Sequence, residues 1–276
     1  MLPQNPALSL ISWNMSHSKK AWPFLSGDTL PDIALLQEAI KPPQPPYWSS
    51  PPIEETWCIQ WNPKEFGAAV VGLTDRVKGN PLTTIRLGDQ GKGEMAISLP
   101  GTVAGADVVL ANGEKLMVFS AYSRWEKALH GGTIYADASA HRLISDISAW
   151  ISKKQGQKVI VAGDWNILYG YGEWGNTYWK GRYNSVFSRM EALGLPFIGP
   201  QYPEGVQADP WPSELPADSN NVPTFRKAKD NLASAERQLD FVFASKELHD
   251  RLQVRALNAP DEWGPSDHCR VLIELW

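Results

Sequence analysis

The stretch that decides the reading is Lys158–Asn166, KVIVAGDWN. Its first five residues form a short run rich in β-branched apolar side chains, the pattern of a strand covered on both faces. The run then breaks into Gly163, Asp164 and Asn166. A carboxylate beside a buried strand is costly unless something compensates its charge. The same pattern recurs on either side. Leu8–Trp13 leads into Asn14, and Asp32–Leu36 leads into Gln37 and Glu38. Leu116–Tyr122 ends in a tyrosine, Leu239–Ala244 carries Asp240 inside it, and Cys269–Leu275 is preceded by Asp267 and His268.

Further strand-like runs are Ala68–Leu73, Met95–Leu99, Val108–Ala111 and Gln253–Leu257. Helices are fewer. One is predicted over Asp137–Lys154, with Ala140, Leu143, Ile144, Ile147, Trp150 and Ile151 on one face. A second is predicted over Tyr183–Leu193, stopped by Gly194 and Pro196, and a short one over Lys19–Leu25. Lys41–Pro52 is Pro-rich and reads as a stiff surface loop, and Pro200–Pro223 as a long irregular excursion. Many short strands with interspersed helices predict two packed sheets with helices outside, in a single domain over residues 1–276.

The composition excludes several classes. The chain has 276 residues, 43% of them hydrophobic, and a net charge of −4. No apolar run reaches the roughly 18 residues of a membrane span, and the N-terminus lacks the basic start of a signal peptide. Two cysteines make neither a disulfide framework nor a zinc site, so a cytoplasmic setting is expected. The sequence does not fix the oligomeric state, for which a monomer is the default. An acidic chain does not coat nucleic acid by bulk charge, although it can meet phosphates at one local site. The aromatic set is lopsided, with 13 Trp against 8 Tyr and 8 Phe.

If the strands are neighbours, Glu38, Asp164, Asp240, Asp267, Asn14, Asn166 and His268 converge in one cleft. Carboxylates gathered this way repel one another unless a cation joins them, and hard oxygen donors suit Mg²⁺ or Mn²⁺. A carboxylate beside an imidazole suits proton transfer or stabilisation of developing charge.

The ordered set of SWN at 12–14, Gln37-Glu38, SAYSRW at 120–125, GDWN at 163–166, LDFVFAS at 239–245 and PSDH at 265–268 resembles the endonuclease/exonuclease/phosphatase (DNase-I-like) superfamily. These motifs span essentially the whole chain. The resemblance implies a four-layered α/β sandwich of two mixed sheets flanked by helices. It implies a metal-dependent phosphodiesterase in which Glu38 is the principal metal ligand, with Asn14 and Asp267 beside it. In that scheme Asp164 orients or deprotonates the attacking water. Asn166 holds a phosphate oxygen through its amide N–H, His268 contacts the scissile phosphate, and Asp240 is its partner. Tyr122 matches a phosphate-contacting tyrosine. Where relatives commonly carry a Pro, this chain has Ser123-Arg124-Trp125, and Arg124 is either a phosphate contact or an ordinary surface arginine.

The superfamily also contains enzymes acting on small and lipid phosphoesters, so residues around the site must choose the substrate. An aromatic stretch follows Asp164 directly: Trp165, Tyr169, Tyr171, Trp174, Tyr178, Trp179 and Tyr183, with Lys180 and Arg182. Aromatic faces with scattered cations suit nucleic acid, single strands included. Trp165, Trp174, Trp179, Lys180 and Arg182 are therefore candidate substrate contacts, with self-packing of the stretch as the competing reading. The expected function is a nuclease acting on DNA or RNA. The alternatives are a phosphoesterase on an inositol phosphate or sphingomyelin-like ester, and a catalytically inactive binding relative.

Overall fold

The computed structural model describes residues 5–26, 30–52, 67–89, 91, 93–127, 132–151, 158–227 and 231–276. Two six-stranded mixed sheets dominate it. The first runs, edge to edge, Leu252–Leu257, Arg270–Leu275, Leu8–Asn14, Ile33–Ala39, Gly67–Gly72 and Trp48–Ser50. The second runs Phe197–Gly199, Asp240–Ala244, Lys158–Asp164, Lys115–Tyr122, Val103–Val109 and Lys78–Pro81. In each sheet one central pair is parallel and its outer neighbours are antiparallel.

The strands read as unbroken apolar runs because both of their faces are buried. Alternate residues point to opposite sides. Leu8, Leu10, Ile33, Leu35, Val118, Ile160, Val242 and Ile273 fill the space between the sheets. The other face of the second sheet sends Phe119, Val161, Phe241 and Phe243 against helices Ala136–Ile151 and Thr177–Ala192. The other face of the first sheet sends Ile11, Trp13, Leu36 and Val71 against Met15, Trp22 and Leu25, the last two on the 3-10 helix Lys19–Leu25. Helical layers outside two stacked sheets make the expected sandwich. Among the described residues, no helix is long and apolar enough to cross a membrane.

Two expectations shift. The strand expected over Val108–Ala111 is Val103–Val109, admitted by the small residues Ala104, Gly105 and Ala106. The helix expected from Tyr183 begins at Thr177, where the Asn176 side chain accepts from the Tyr178 N–H at 2.8 Å and so caps it. Within the Pro-rich loop, Trp48–Ser50 is an edge strand. The last residues of the helix predicted over Asp137–Lys154, from 152 on, lie outside the described residues, as does Cys58. Cys269 is buried.

Candidate active site

The topology explains the convergence. Asn14, Glu38, Tyr122 and Asp164 lie at or near the C-terminal ends of the parallel strands. Asp240 opens, and His268 precedes, strands that run the other way. All six therefore meet at one end of the two sheets. The pairings Asn14↔Gln37, Asp164↔Tyr122 and Asp164↔Asp240 set their mutual register. Gly163 allows the close approach: a Cβ there would lie 1.8 Å from the Ala121 carbonyl oxygen.

Glu38 reaches the cleft through a local irregularity. The pairing of its strand slips between Leu36 and Ala39, and Glu38 has φ 46°. A slip of this kind re-aims side chains. Gln37 turns inward, where its amide donates to Leu35 O and Ser120 Oγ, while Glu38 faces the cleft. The Tyr122 hydroxyl donates to Glu38 Oε1 at 2.8 Å, and Asn14 Nδ2 lies 3.3 Å from the same atom. Burial and the nearby carboxylates of Glu38 and Asp164 hold the Tyr122 hydroxyl protonated, far above the ordinary phenol range.

Asp164 is buried at the centre. Its Oδ2 accepts from Asn14 Nδ2 at 2.9 Å and Asn166 Nδ2 at 3.0 Å, and its Oδ1 from the Asn166 N–H at 3.0 Å. Burial pushes its carboxyl up to about 7; His268 opposes the shift, while Asp240 and Glu38 add to it. His268 Nδ1 lies 2.8 Å from Asp240 Oδ2, which leaves Nε2 facing Asp164 at 3.8 Å. Burial works against charge on this ring, but the Asp240 and Asp164 carboxylates outweigh it and raise the imidazolium to about 10. The arrangement is braced from behind. Trp13 Nε1 donates to His268 O, and Thr224 Oγ1 accepts from the Asp240 N–H. Ser266 Oγ donates to Asn14 O and lies 3.3 Å from Asp267 Oδ1.

Asp164, Asp240 and His268 are close enough to hold a cation between them. Their hydrogen bonding gives them another use, since His268 turns Nδ1 to Asp240 and Nε2 towards Asp164. The donor that fits a hard divalent ion is Glu38, a carboxylate with partial access to solvent at the mouth of an acid-rich cleft. Two expected roles change here. The Asn14 carboxamide oxygen accepts from the Ser16 N–H, and its N–H group faces Glu38 and Asp164. The Asn166 amide, expected on a phosphate, is spent on Ser123 O and Asp164. Both asparagines thus brace carboxylates.

The aromatic stretch after Asp164 is largely core, which corrects the expectation that it offers ring faces to substrate. Trp165 is buried edge-on against Phe243, because residues 164 and 165 alternate across the strand and only the first faces the cleft. Trp179 packs among Tyr135, Tyr178 and Tyr183. Arg182, expected on phosphate, pairs with Asp137 at 2.5 Å and lies over the Tyr135, Tyr178 and Trp179 rings. Trp174 and Lys180 do keep exposed side chains. Of the basic residues near Asp240, Arg237 is bound to Glu173 and Glu214, and Arg226 is buried against Trp263. Arg124 is half-buried, close enough for its charge to act on Tyr122. A Trp179→Ala variant is therefore expected to lose about 3–5 kcal/mol of stability. That is a fall in Tm of roughly 6 °C or more with substrate KM unchanged, read by thermal unfolding and steady-state kinetics.

Two residues join the site that are not among the candidates named from the sequence. His17 Nε2 lies 2.6 Å from Glu38 Oε2. It is carried there because the chain beyond Asn14 keeps pairing, Met15 N–H to Gln37 O and His17 N–H to Glu38 O. Trp125 donates from Nε1 to Asn166 Oδ1 at 2.8 Å, with its ring at the surface. A histidine three residues past a strand-end Asn, and a Trp three past a strand-end Tyr, were the available signals. A cavity of about 540 Å³ lined by Ile11, Phe24, Arg255 and Arg270 lies on the outer face of the first sheet and contains none of these groups.

The model of the Endonuclease/Exonuclease/phosphatase family matches residues 11–268. No curated protein sequence matches the chain. Among solved structures, the endonuclease domain of TRAS1, a telomere-specific non-LTR retrotransposon, superposes with a TM-score of 0.62 at 13% identity, covering 97% of this chain and 98% of that one. A 3'-5' exonuclease (NExo) from Neisseria meningitidis gives 0.57 at 16% identity, covering 98% and 100%. A beta toxin from Staphylococcus aureus gives 0.58 at 13% identity, covering 98% and 100%. Likeness at such identities shows the fold.

Proposed function

Since the chain belongs to the endonuclease/exonuclease/phosphatase family, we propose that it is a divalent-metal-dependent nuclease that hydrolyses phosphodiester bonds of DNA or RNA. The observation that carries the reading is the Asp240–His268–Asp164 series, held in one cleft with Glu38. A catalytically inactive relative would have no use for a buried imidazolium between two acids, which is costly to maintain.

Each residue then has a task. Asp164, its oxygens fixed by three amide donors, accepts a proton from the attacking water. His268, charged and oriented by Asp240, donates from Nε2 to a non-bridging phosphate oxygen as negative charge develops. The Tyr122 hydroxyl, which donates to Glu38 Oε1, would reach a second phosphate oxygen by turning from that carboxylate. Glu38 would hold the cation, Mg²⁺ or Mn²⁺, with Asp267 beside it, while the Asn14 amide N–H steadies the Glu38 and Asp164 carboxylates. When bound, such a cation neutralises phosphate charge and stabilises the leaving oxygen. Trp174, Lys180 and Arg124 remain candidate substrate contacts.

The test is a panel of single- and double-stranded DNA, RNA, abasic DNA, an inositol phosphate and sphingomyelin, each with Mg²⁺, Mn²⁺ or EDTA. Cleavage of a nucleic acid that EDTA abolishes is expected. Turnover of only the inositol phosphate or sphingomyelin would replace this reading with that of a small-ester or lipid phosphoesterase, and no turnover of any member would end both.

A further inference from the structure

We propose that Trp125 reads substrate at this site: its indole N–H positions Asn166, and its uncovered ring receives the nucleobase of a nucleotide beside the scissile phosphate. The inference rests on the nuclease reading and deepens it.

The first observation is where the N–H goes. Nε1 donates to Asn166 Oδ1 at 2.8 Å. The same carboxamide donates to Ser123 O and to Asp164 Oδ2, and the Asn166 main-chain N–H donates to Asp164 Oδ1. Asn166 has φ 51°, the left-handed region that Asn tolerates better than most side chains. The indole is thus one of the anchors of the residue that braces the central acid.

The second observation is where the ring goes. Trp125 is 62% exposed, whereas Trp165 and Trp179, nearer to Asp164 in sequence, are buried. A single exposed apolar side chain is ordinary on a protein surface, and Trp174 is exposed more fully; what sets Trp125 apart is that its indole N–H is bonded to a residue of the site. The ring does not hang from a loose loop. The Ser123 N–H donates to Asp164 O, and the Arg124 N–H to Ser139 Oγ, so the backbone on its N-terminal side is tied to both the central strand and the helix Ala136–Ile151. An aromatic face held in advance loses little freedom on binding.

The chemistry of the occupant follows from the orientation. Because the only polar atom of the indole is turned into the protein, the ring can offer a face and edges but no hydrogen bond. A flat base suits that surface, and any base will do, so the contact should tolerate sequence. A phosphate has no comparable flat apolar face.

Two substitutions separate the two tasks. Trp125→Phe keeps a ring and removes the N–H, while Trp125→Gln keeps an N–H donor and removes the ring. Kinetics are measured on an oligonucleotide cleaved by the wild type and on the same oligonucleotide with tetrahydrofuran, which has no base, flanking the cleaved bond. Fluorescence anisotropy of the labelled oligonucleotide in EDTA reports binding without turnover. Trp125→Phe is expected to lower kcat about 5- to 10-fold with KM held. Trp125→Gln is expected to raise KM and the dissociation constant about 5- to 150-fold with kcat nearly held. Removing the base should weaken the wild type by a similar factor and Trp125→Gln no further. Equal penalties for Trp125→Gln on the two substrates, or a Trp125→Gln variant with wild-type KM, would overturn the proposal while leaving the nuclease reading intact. Failure of the wild type to cleave any nucleic acid would remove both.

Discussion

Replacing His268 with Ala is expected to lower turnover by about 10²–10⁴-fold, whichever phosphodiester is used. The ring is buried, Asp240 fixes Nδ1 at 2.8 Å, and only Nε2 is left for substrate. Alanine removes both the donor and the charge. It also strands Asp240 and Asp164 as neighbouring buried acids, and breaking a buried ion pair from one side can cost about 3–5 kcal/mol. A fall in activity alone would therefore be ambiguous. His268→Gln resolves it: the amide fills similar space and can still hydrogen-bond Asp240, but it carries no charge. If the imidazolium acts on the phosphate, His268→Gln loses activity nearly as fully as alanine while its Tm stays closer to the wild type. Full activity in either folded variant would sink the assignment. Asp240→Asn adds an intermediate case, because the ring keeps a partner and loses the charge that holds it protonated.

How far the sequence carried this reading depended on which force set each feature. The strands were legible because they are covered on both faces, so Leu8–Asn14, Ile33–Ala39 and Lys158–Asp164 appear as continuous apolar runs. The acids that interrupt those runs then stood out as costly. The start of the Thr177–Ala192 helix was hidden by Tyr178, Trp179 and Gly181, weak helix formers that mask the Asn176 cap. The aromatic stretch misled because nearness in sequence to Asp164 is not nearness in space. One residue along a strand is the opposite face, and Trp165 goes to core for that reason. Trp125 and His17 reach the site from other strands through backbone turns that leave no periodic trace. Nor does spacing reveal that Asn14 turns its amide N–H group to Asp164, since that choice belongs to a hydrogen bond made across 150 residues of chain.

Glu38→Gln is expected to remove metal-supported turnover by at least about 100-fold, and to weaken Mn²⁺ or Mg²⁺ binding in parallel when measured by titration calorimetry. Losing groups that merely orient a metal ligand typically costs 10–100-fold, so losing a charged ligand should cost no less. Glutamine is the informative replacement because it preserves shape. The Tyr122 hydroxyl can still donate to an oxygen, and the irregular backbone at φ 46° asks nothing new of the side chain. What disappears is one negative charge in a cleft that also holds Asp164 and Asp240. That loss relieves repulsion, while the contact with His17 Nε2 is weakened. These oppose each other, so Tm should hold within about 2 °C, on the scale of surface-pair energies. A residue whose removal ends activity without lowering stability is retained for function. The alternative, that Glu38 serves only to hold Tyr122 and Asn14, makes a different prediction. In that case cation affinity is unchanged, turnover falls modestly, and raising Mn²⁺ restores nothing. If Glu38 holds the cation, excess Mn²⁺ recovers part of the lost rate, and the calorimetric constant moves with it.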